Sequence, residues 1–224
     1  SSQLTVPIGL FPETDRTRSE FPDHSPSSHM ESRSPLVTIT TDFGTEDAYV
    51  PAMKGTMRSI CPEAQFVDVT HKIHPQAVME TAFVLQAAYP YFPEHTIHLV
   101  VVDPGVGTDR RAVALQYGTH LFVGPDNGIF PLVLNGDPPD RVVELDNPEM
   151  WRTAEPSTTF HGRDIFAPAA AHLADRVPLE ALGSPVDALE PLQWARPSVA
   201  PNTVQGLVVH VDHFGNCITN IRRS

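Results

Sequence analysis

Basic residues are scarce in this chain: 15 lysines and arginines stand against 27 aspartates and glutamates, a formal net charge of -12. Nucleic acids and anionic membrane surfaces reward the opposite balance, so neither is expected as a partner. Cysteine is almost absent. Cys61 and Cys217 lie far apart without C-x-x-C spacing, which indicates neither a zinc ribbon nor a disulfide framework. No apolar run approaches the roughly 20 residues that span a bilayer, and the N-terminus lacks the basic-then-apolar pattern of a secretory signal. The expectation is a cytoplasmic soluble protein. Its 224 residues suit one to two domains.

Several catalytic signatures are missing as well. There is no G-x-S-x-G elbow for a serine hydrolase. Asp42-Phe43-Gly44 matches a kinase tripeptide, but no glycine loop, V-A-I-K lysine or H-R-D loop accompanies it. Gly105-x-Gly107 lacks the later glycine of a dinucleotide fingerprint, and no Lys-Ser/Thr follows as in a P-loop. His71-x-x-His74 and His95-x-x-His98 fall at a strand end and a strand entry, so neither forms the helical pair of a zinc protease, and no metal site is expected.

What is present is alternation of strand and helix patterns. Residues 1–34 are rich in Ser, Pro, Glu, Asp and Arg without sustained periodicity, and read as a flexible leader in which Ser28-His29-Met30 resembles a cloning remnant. Leu36 to Thr40, Phe66 to Thr70 and Thr96 to Val102 are β-branched runs. Between them, Val50, Met53, Met57 and Ile60 share one helical face, as do Val78, Ala82, Leu85 and Tyr89. Cys61-Pro62 ends the first helix, since the residue before a proline avoids the helical region. This β-α-β-α-β order predicts parallel strands with right-handed crossovers. Asp42, the Asp68–His71 segment and Asp103 would then converge on one sheet edge.

Further on, Tyr117 to His120 forms a hairpin turn, Val142 to Leu145 a strand, and Ile165, Phe166, Ala169 and Leu173 the inner face of a helix. The fold class is therefore α/β. A three-layer domain with a mostly parallel central sheet spans 35–177, a proline-rich linker covers 178–202, and a small all-β, barrel-like domain begins at 203–224. A strand and a half cannot bury a core, so that last piece reads as truncated.

The chain is organised around Val100-Val101-Val102-Asp103-Pro104-Gly105-Val106-Gly107-Thr108-Asp109-Arg110-Arg111. A buried strand ends at a carboxylate, a glycine-rich turn follows, then two guanidiniums. With His161 at a loop-to-helix junction, Asp103 and Arg110 complete a set able to orient and polarise a water. An ion pair pinning two loops would use the same residues.

Six motifs occur in order: Thr41-Asp42-Phe43-Gly44, Val67-Asp68-Val69-Thr70-His71, Val102 to Thr108, Pro125-Asp126-Asn127-Gly128, Thr159-Phe160-His161-Gly162-Arg163-Asp164 and Asp212-His213-Phe214-Gly215-Asn216. Together they resemble the SAM hydroxide adenosyltransferases, the S-adenosyl-L-methionine (SAM) hydrolases that form adenosine, relatives of the SAM-dependent fluorinase and chlorinase. The resemblance implies a homotrimer with the SAM pocket between subunits and SAM as substrate without a cofactor. It implies catalytic roles for Asp103, Arg110 and His161, with the first two holding a water that His161 helps to deprotonate. It further implies that Asp42 holds the ribose hydroxyls, Asp47 and Asp212 serve the methionine end, and Phe214 and Asn216 face adenine. The family's barrel extends beyond Ser224, so late substrate contacts are expected to be missing here. The alternatives are a halogenase or a non-catalytic nucleoside-binding module. Against a halogenase, the halogenases carry tyrosine at the position of Asp103, the fluorinase's halide-binding serine corresponds to Gly162, and a carboxylate beside the nucleophile would repel halide.

Overall fold

The computed structural model describes residues 34–192, 197–200 and 203–221. Except for Ser34, the expected leader lies outside the described residues. The elements follow as β1 (Leu36–Thr41), α1 (Tyr49–Ile60), β2 (Gln65–Thr70), α2 (Val78–Ala88), β3 (Ile97–Val101), β4 (Ala112–Tyr117), β5 (His120–Pro125), α3 (Ile129–Val133), β6 (Arg141–Glu144) and α4 (Ala167–Ala174). Four short strands close the chain: β7 (Ser198–Ala200), β8 (Thr203–Gln205), β9 (Val208–Val211) and β10 (Cys217–Thr219).

The central sheet has the order β2-β1-β3-β5-β4-β6. β2, β1, β3 and β5 run parallel, whereas β4 is antiparallel to both of its neighbours. The β4–β5 hairpin turns at Gly118-Thr119 as its sequence demands. β3 is buried along its whole length, which explains its unbroken apolar run: a central parallel strand is covered on both faces. Leu99 and Val101 pack toward α1 and α4, while Val100 and Val102 pack with residues of α2 and α3. The result is the expected three-layer sandwich.

This topology locates the site. The β1 crossover through α1 leads outward to β2, whereas the chain leaving β3 passes to the other half of the sheet. Adjacent strands whose connections diverge open a crevice at their carboxyl ends, the switch point where ligands bind in such sheets. Asp42 and Asp103 follow the ends of those two strands.

The stretch read as a linker starts as packed wall. Leu179 and Leu182 are buried, and Pro185 bridges to Val143. Proline spacing hides this because a single 3-10 turn has no helical periodicity to display. β7 pairs with β8, and β9 with β10, both antiparallel. Their Val199, Val204 and Val208 side chains are exposed, as expected for isolated ribbons without a core of their own.

Candidate active site

Two consecutive turns after β3 fold the chain back on itself. Val106 N–H donates to the Asp103 carbonyl and Thr108 N–H to that of Gly105. Arg110 thereby returns to Asp103: its Nε donates to Oδ1 at 3.0 Å, and its Nη2 donates to Oδ2. Both side chains are only 7% exposed. Paired, bidentate geometry of this kind fixes the carboxylate plane as well as its charge. Gly107 is required here. Its φ is +79°, and a Cβ would sit 2.8 Å from the Thr158 carbonyl oxygen, so only glycine lets the turn touch the segment that leads to His161.

His161 precedes a π-helical turn, Gly162–Phe166, that runs directly into α4. Such wide turns concentrate at functional sites because they re-aim one side chain without ending the helix. The turn is anchored by buried Asp164, which accepts from Arg152 Nε at 2.6 Å, from Arg163 Nε at 2.7 Å and from Ser157 N–H at 2.9 Å. Led by the Arg163 hydrogen bond, these contacts overcome burial and hold the Asp164 carboxyl far below the usual range.

Arg110 Nη2 also lies 3.1 Å from His161 Nδ1. A guanidinium has only donors, so Nδ1 accepts and the proton of the neutral ring resides on Nε2. Burial first, and then the Arg110 charge, push the imidazole below its ordinary value, with Asp103 and Asp164 opposing. In this arrangement His161 offers an N–H; its one basic lone pair is occupied.

Asp42 accepts the Gln76 N–H at 2.8 Å. Burial raises its carboxyl above the ordinary value, the Gln76 bond opposes this, and the nearby charge of Asp103 adds to it. The two aspartates therefore share one electrostatic environment, as their strand ends require. Other expected groups serve as supports. Asp68 accepts from Lys54 at 2.6 Å and faces His71, whose Nδ1 pairs with Thr41. Arg111 is held by Asp126 and the Ala188 carbonyl, so only one of the two guanidiniums reaches the Asp103 edge.

The remaining expected contacts lie apart from this cluster. Asp47 is exposed on the loop between β1 and α1. Asp212 caps its own turn, accepting the N–H groups of Phe214 and Asn216 at 2.9 and 2.8 Å and the Asn216 amide at 2.7 Å. Phe214 is 87% exposed. Among the described residues, no hydrogen bond or ring contact links this turn to Asp103, Arg110 or His161. One feature at the edge has no counterpart in the expected set: Phe43, Tyr49 and Phe160 form an aromatic cluster with centroids 5.0–5.9 Å apart. Its signal was an aromatic directly beside Asp42 and another beside His161. Among the described residues, no group of three or more His, Cys, Asp or Glu side chains could hold a metal.

Fold and site together define an α/β protein with a carboxylate–guanidinium–imidazole set at a sheet switch point. Residues 37–183 match the model of the SAM hydroxide adenosyltransferase N-terminal domain. The (R)-S-adenosyl-L-methionine hydrolase of Salinispora arenicola is 45% identical over 81% of this chain and 70% of that protein. The hydrolase of the same name from Thermus thermophilus is 43% identical over 84% and 75%. A fluorinase from an Actinoplanes species is 31% identical over 85% and 72%. A crystal structure of an uncharacterized conserved protein from Thermotoga maritima superposes with a TM-score of 0.76 at 41% identity, covering 83% of this chain and 71% of that one. The chain belongs to the SAM hydroxide adenosyltransferase family.

Proposed function

We propose that the protein hydrolyses S-adenosyl-L-methionine to adenosine and L-methionine, acting on the (R) form that the names of its relatives specify. The observation that carries this reading is the buried Asp103–Arg110 pair with His161 against it. A carboxylate at this position suits water, which must lose a proton, and repels halide.

In the reaction, a water oxygen attacks ribose C5′ as the C5′–sulfur bond breaks. The sulfonium leaves as the neutral thioether of methionine, which needs no general acid. Bond formation turns the attacking water into an oxonium far more acidic than a carboxylic acid, so a weak base suffices. Asp103 Oδ1 accepts from both Arg110 Nε and the Gly105 N–H, so Oδ2, which keeps a lone pair beyond the one facing Arg110, orients the water and takes that proton. Arg110 holds both partners in plane, and the Nε2–H of His161 points the remaining donor. The work asked of the site is placement in line with the breaking bond and removal of bulk water, worth roughly 7–11 kcal/mol of barrier.

Asp42 would hold the ribose hydroxyls. Asp47, Asp212, Phe214 and Asn216 would complete the pocket from the methionine and adenine sides. The exposure of Phe214, and the lack among the described residues of a hydrogen bond or ring contact between its turn and the catalytic cluster, fit a pocket completed by another copy; the assembly we propose is a homotrimer. The reaction as written uses no cofactor. Among the described residues, no helix is long and apolar enough to cross a membrane, and the cytoplasm, where SAM is made, is the proposed location.

The test is incubation of the protein with SAM, followed by chromatography for adenosine and methionine. Equimolar appearance of both is expected, and their absence would reject the proposal. A parallel incubation in molar chloride should give no 5′-chloro product; such a product would identify a halogenase. Gly162 bears on the same point. A Cβ there would stand 3.2 Å from Met53 Sδ and 3.2 Å from a Phe160 ring carbon, so a serine does not fit without displacing the wall.

A further inference from the structure

The buried carboxylate of Glu80 takes no part in the chemistry above, yet it joins three parts of the chain. It lies in the first turn of α2 and is 9% exposed. Oε2 accepts from the His74 N–H at 3.0 Å and faces His74 Nδ1 at 2.8 Å; Oε1 faces Nδ1 of His210, on β9, at 3.0 Å. The His210 ring also stacks on Phe83 of α2, with centroids 5.4 Å apart. Burial works to raise the Glu80 carboxyl, but the hydrogen bonds of His74 and His210 prevail and hold it below its usual value. Among the described residues, no lysine or arginine contributes to this clasp.

A cavity of about 560 Å³ lies directly beside it. Its lining includes His74, Gln76 and Glu80, Pro104 just after β3, Asn127 just after β5, and Val208 on β9. Gln76 is the residue that donates to Asp42, and Pro104 follows Asp103. The cavity is therefore bordered by the sheet edge that carries the proposed chemistry and by β9, which meets α2 through the Glu80–His210 contact and the His210–Phe83 stack. That strand leads straight into the Asp212–Asn216 turn.

We propose that Glu80 is a positioning residue, which through His210 fixes β9 against α2 and so sets substrate affinity rather than the rate of the chemical step. The inference rests on the SAM hydrolase reading for its kinetic arm. The His210 hydrogen bond engages a carboxylate that is 9% exposed, from a ring that is 23% exposed, so losing it loosens the hold on β9 by about tenfold. Glutamine keeps one acceptor and gains a donor, which an imidazole can meet by changing tautomer; alanine offers neither.

The experiment compares full-length wild type, Glu80→Ala, Glu80→Gln and His210→Phe by steady-state kinetics with SAM and by amide hydrogen exchange without ligand. His210→Phe keeps the stack on Phe83 and removes only the hydrogen bond. Glu80→Ala and His210→Phe should raise KM about tenfold with kcat within about twofold, and Glu80→Gln should stay near wild type. Amides of Val208–Val211 should exchange about tenfold faster in the first two, with β3 unchanged. Unchanged exchange in both variants would overturn the clasp. Faster exchange with unaltered KM, or a fall in kcat alone, would overturn its role in affinity. A wild type without hydrolysis would reject the activity, while the exchange measurement would still decide the clasp.

Discussion

Asp103→Asn separates what the triad does for stability from what it does for turnover. In the wild type the guanidinium of Arg110 rests on two carboxylate oxygens and one imidazole nitrogen. Its Nη1 is buried without a hydrogen-bond partner. Asparagine leaves one carbonyl oxygen for Nε, while its NH2 group confronts the Nη2 donor. A cation that is 7% exposed then lies without its counter-charge. Breaking a buried pair in this way costs about 3–5 kcal/mol, and the surviving hydrogen bond offsets about 1 kcal/mol. The net of about 2–4 kcal/mol should lower Tm by about 4–16 °C in a domain of this size. Adenosine formation should fall at least about 100-fold, as expected when a positioned proton acceptor is removed.

The control removes both charges. In Asp103→Leu/Arg110→Met neither charge of this pair remains, and apolar replacement of a buried ion pair is often neutral or stabilising. Tm, followed by circular dichroism, should recover to within about 2–4 °C of wild type, the equivalent of about 1 kcal/mol, while turnover stays lost. An unchanged Tm in Asp103→Asn would refute the buried-pair argument. Wild-type turnover in the double variant would refute the catalytic assignment, however stable the protein.

Three shorter predictions use other parts of the molecule. His161 is held below its ordinary value, so kcat/KM should stay flat down to below pH 6.5 and fall only where the ring takes a second proton and loses the Arg110 bond. His161→Asn, which keeps an acceptor for Arg110 but cannot titrate, should lose that acid limb with activity within about tenfold of wild type; a loss of about 100-fold or more would restore His161 as a general base. His98 is fully buried, with burial foremost and His120 next lowering it to about 3. Below pH 6.5 the unfolded chain therefore binds a proton that the fold refuses, stability falls with pH, and the loss reaches about 2 kcal/mol at pH 5. Urea unfolding of His98→Phe should show a correspondingly smaller difference between pH 7.5 and pH 5, and an equal one would discredit the assignment. Gly107→Ala should cost about 1–3 kcal/mol in chemical unfolding and most of the activity, since its Cβ meets the Thr158 carbonyl. Gly118→Ala, at φ +57° with nothing within 4 Å, should carry a backbone cost but no kinetic defect.

The α/β layers were legible because burial writes itself into period. β3 is apolar throughout and β1 nearly so, since helices cover both faces; Val50, Met53 and Met57 mark the buried stripe of α1. Less legible was the insertion of β5 between β3 and the antiparallel β4. A hairpin signal gives the pairing of its two strands but not which of them joins the sheet already built. The packed start of the proline-rich stretch was hidden for a similar reason: Leu179 and Leu182 are two anchors without a repeat.

At the site, sequence proximity decided what could be read. Asp103 and Arg110 are seven residues apart, and the turn chemistry between them already implied their meeting. His161 joins from 51 residues away, and only the ordered motifs connected it. Its protonation could not be inferred from residue type at all: an imidazole beside a carboxylate suggests a base, whereas the same imidazole with Nδ1 against a guanidinium is a donor. Glu80 and His210 lie 130 residues apart and carry no motif, because a clasp needs only one carboxylate facing one ring. Residues that perform chemistry constrain several neighbours at once and so leave a local pattern. Residues that hold two elements in register constrain one partner each, and they become visible only when the chain is folded.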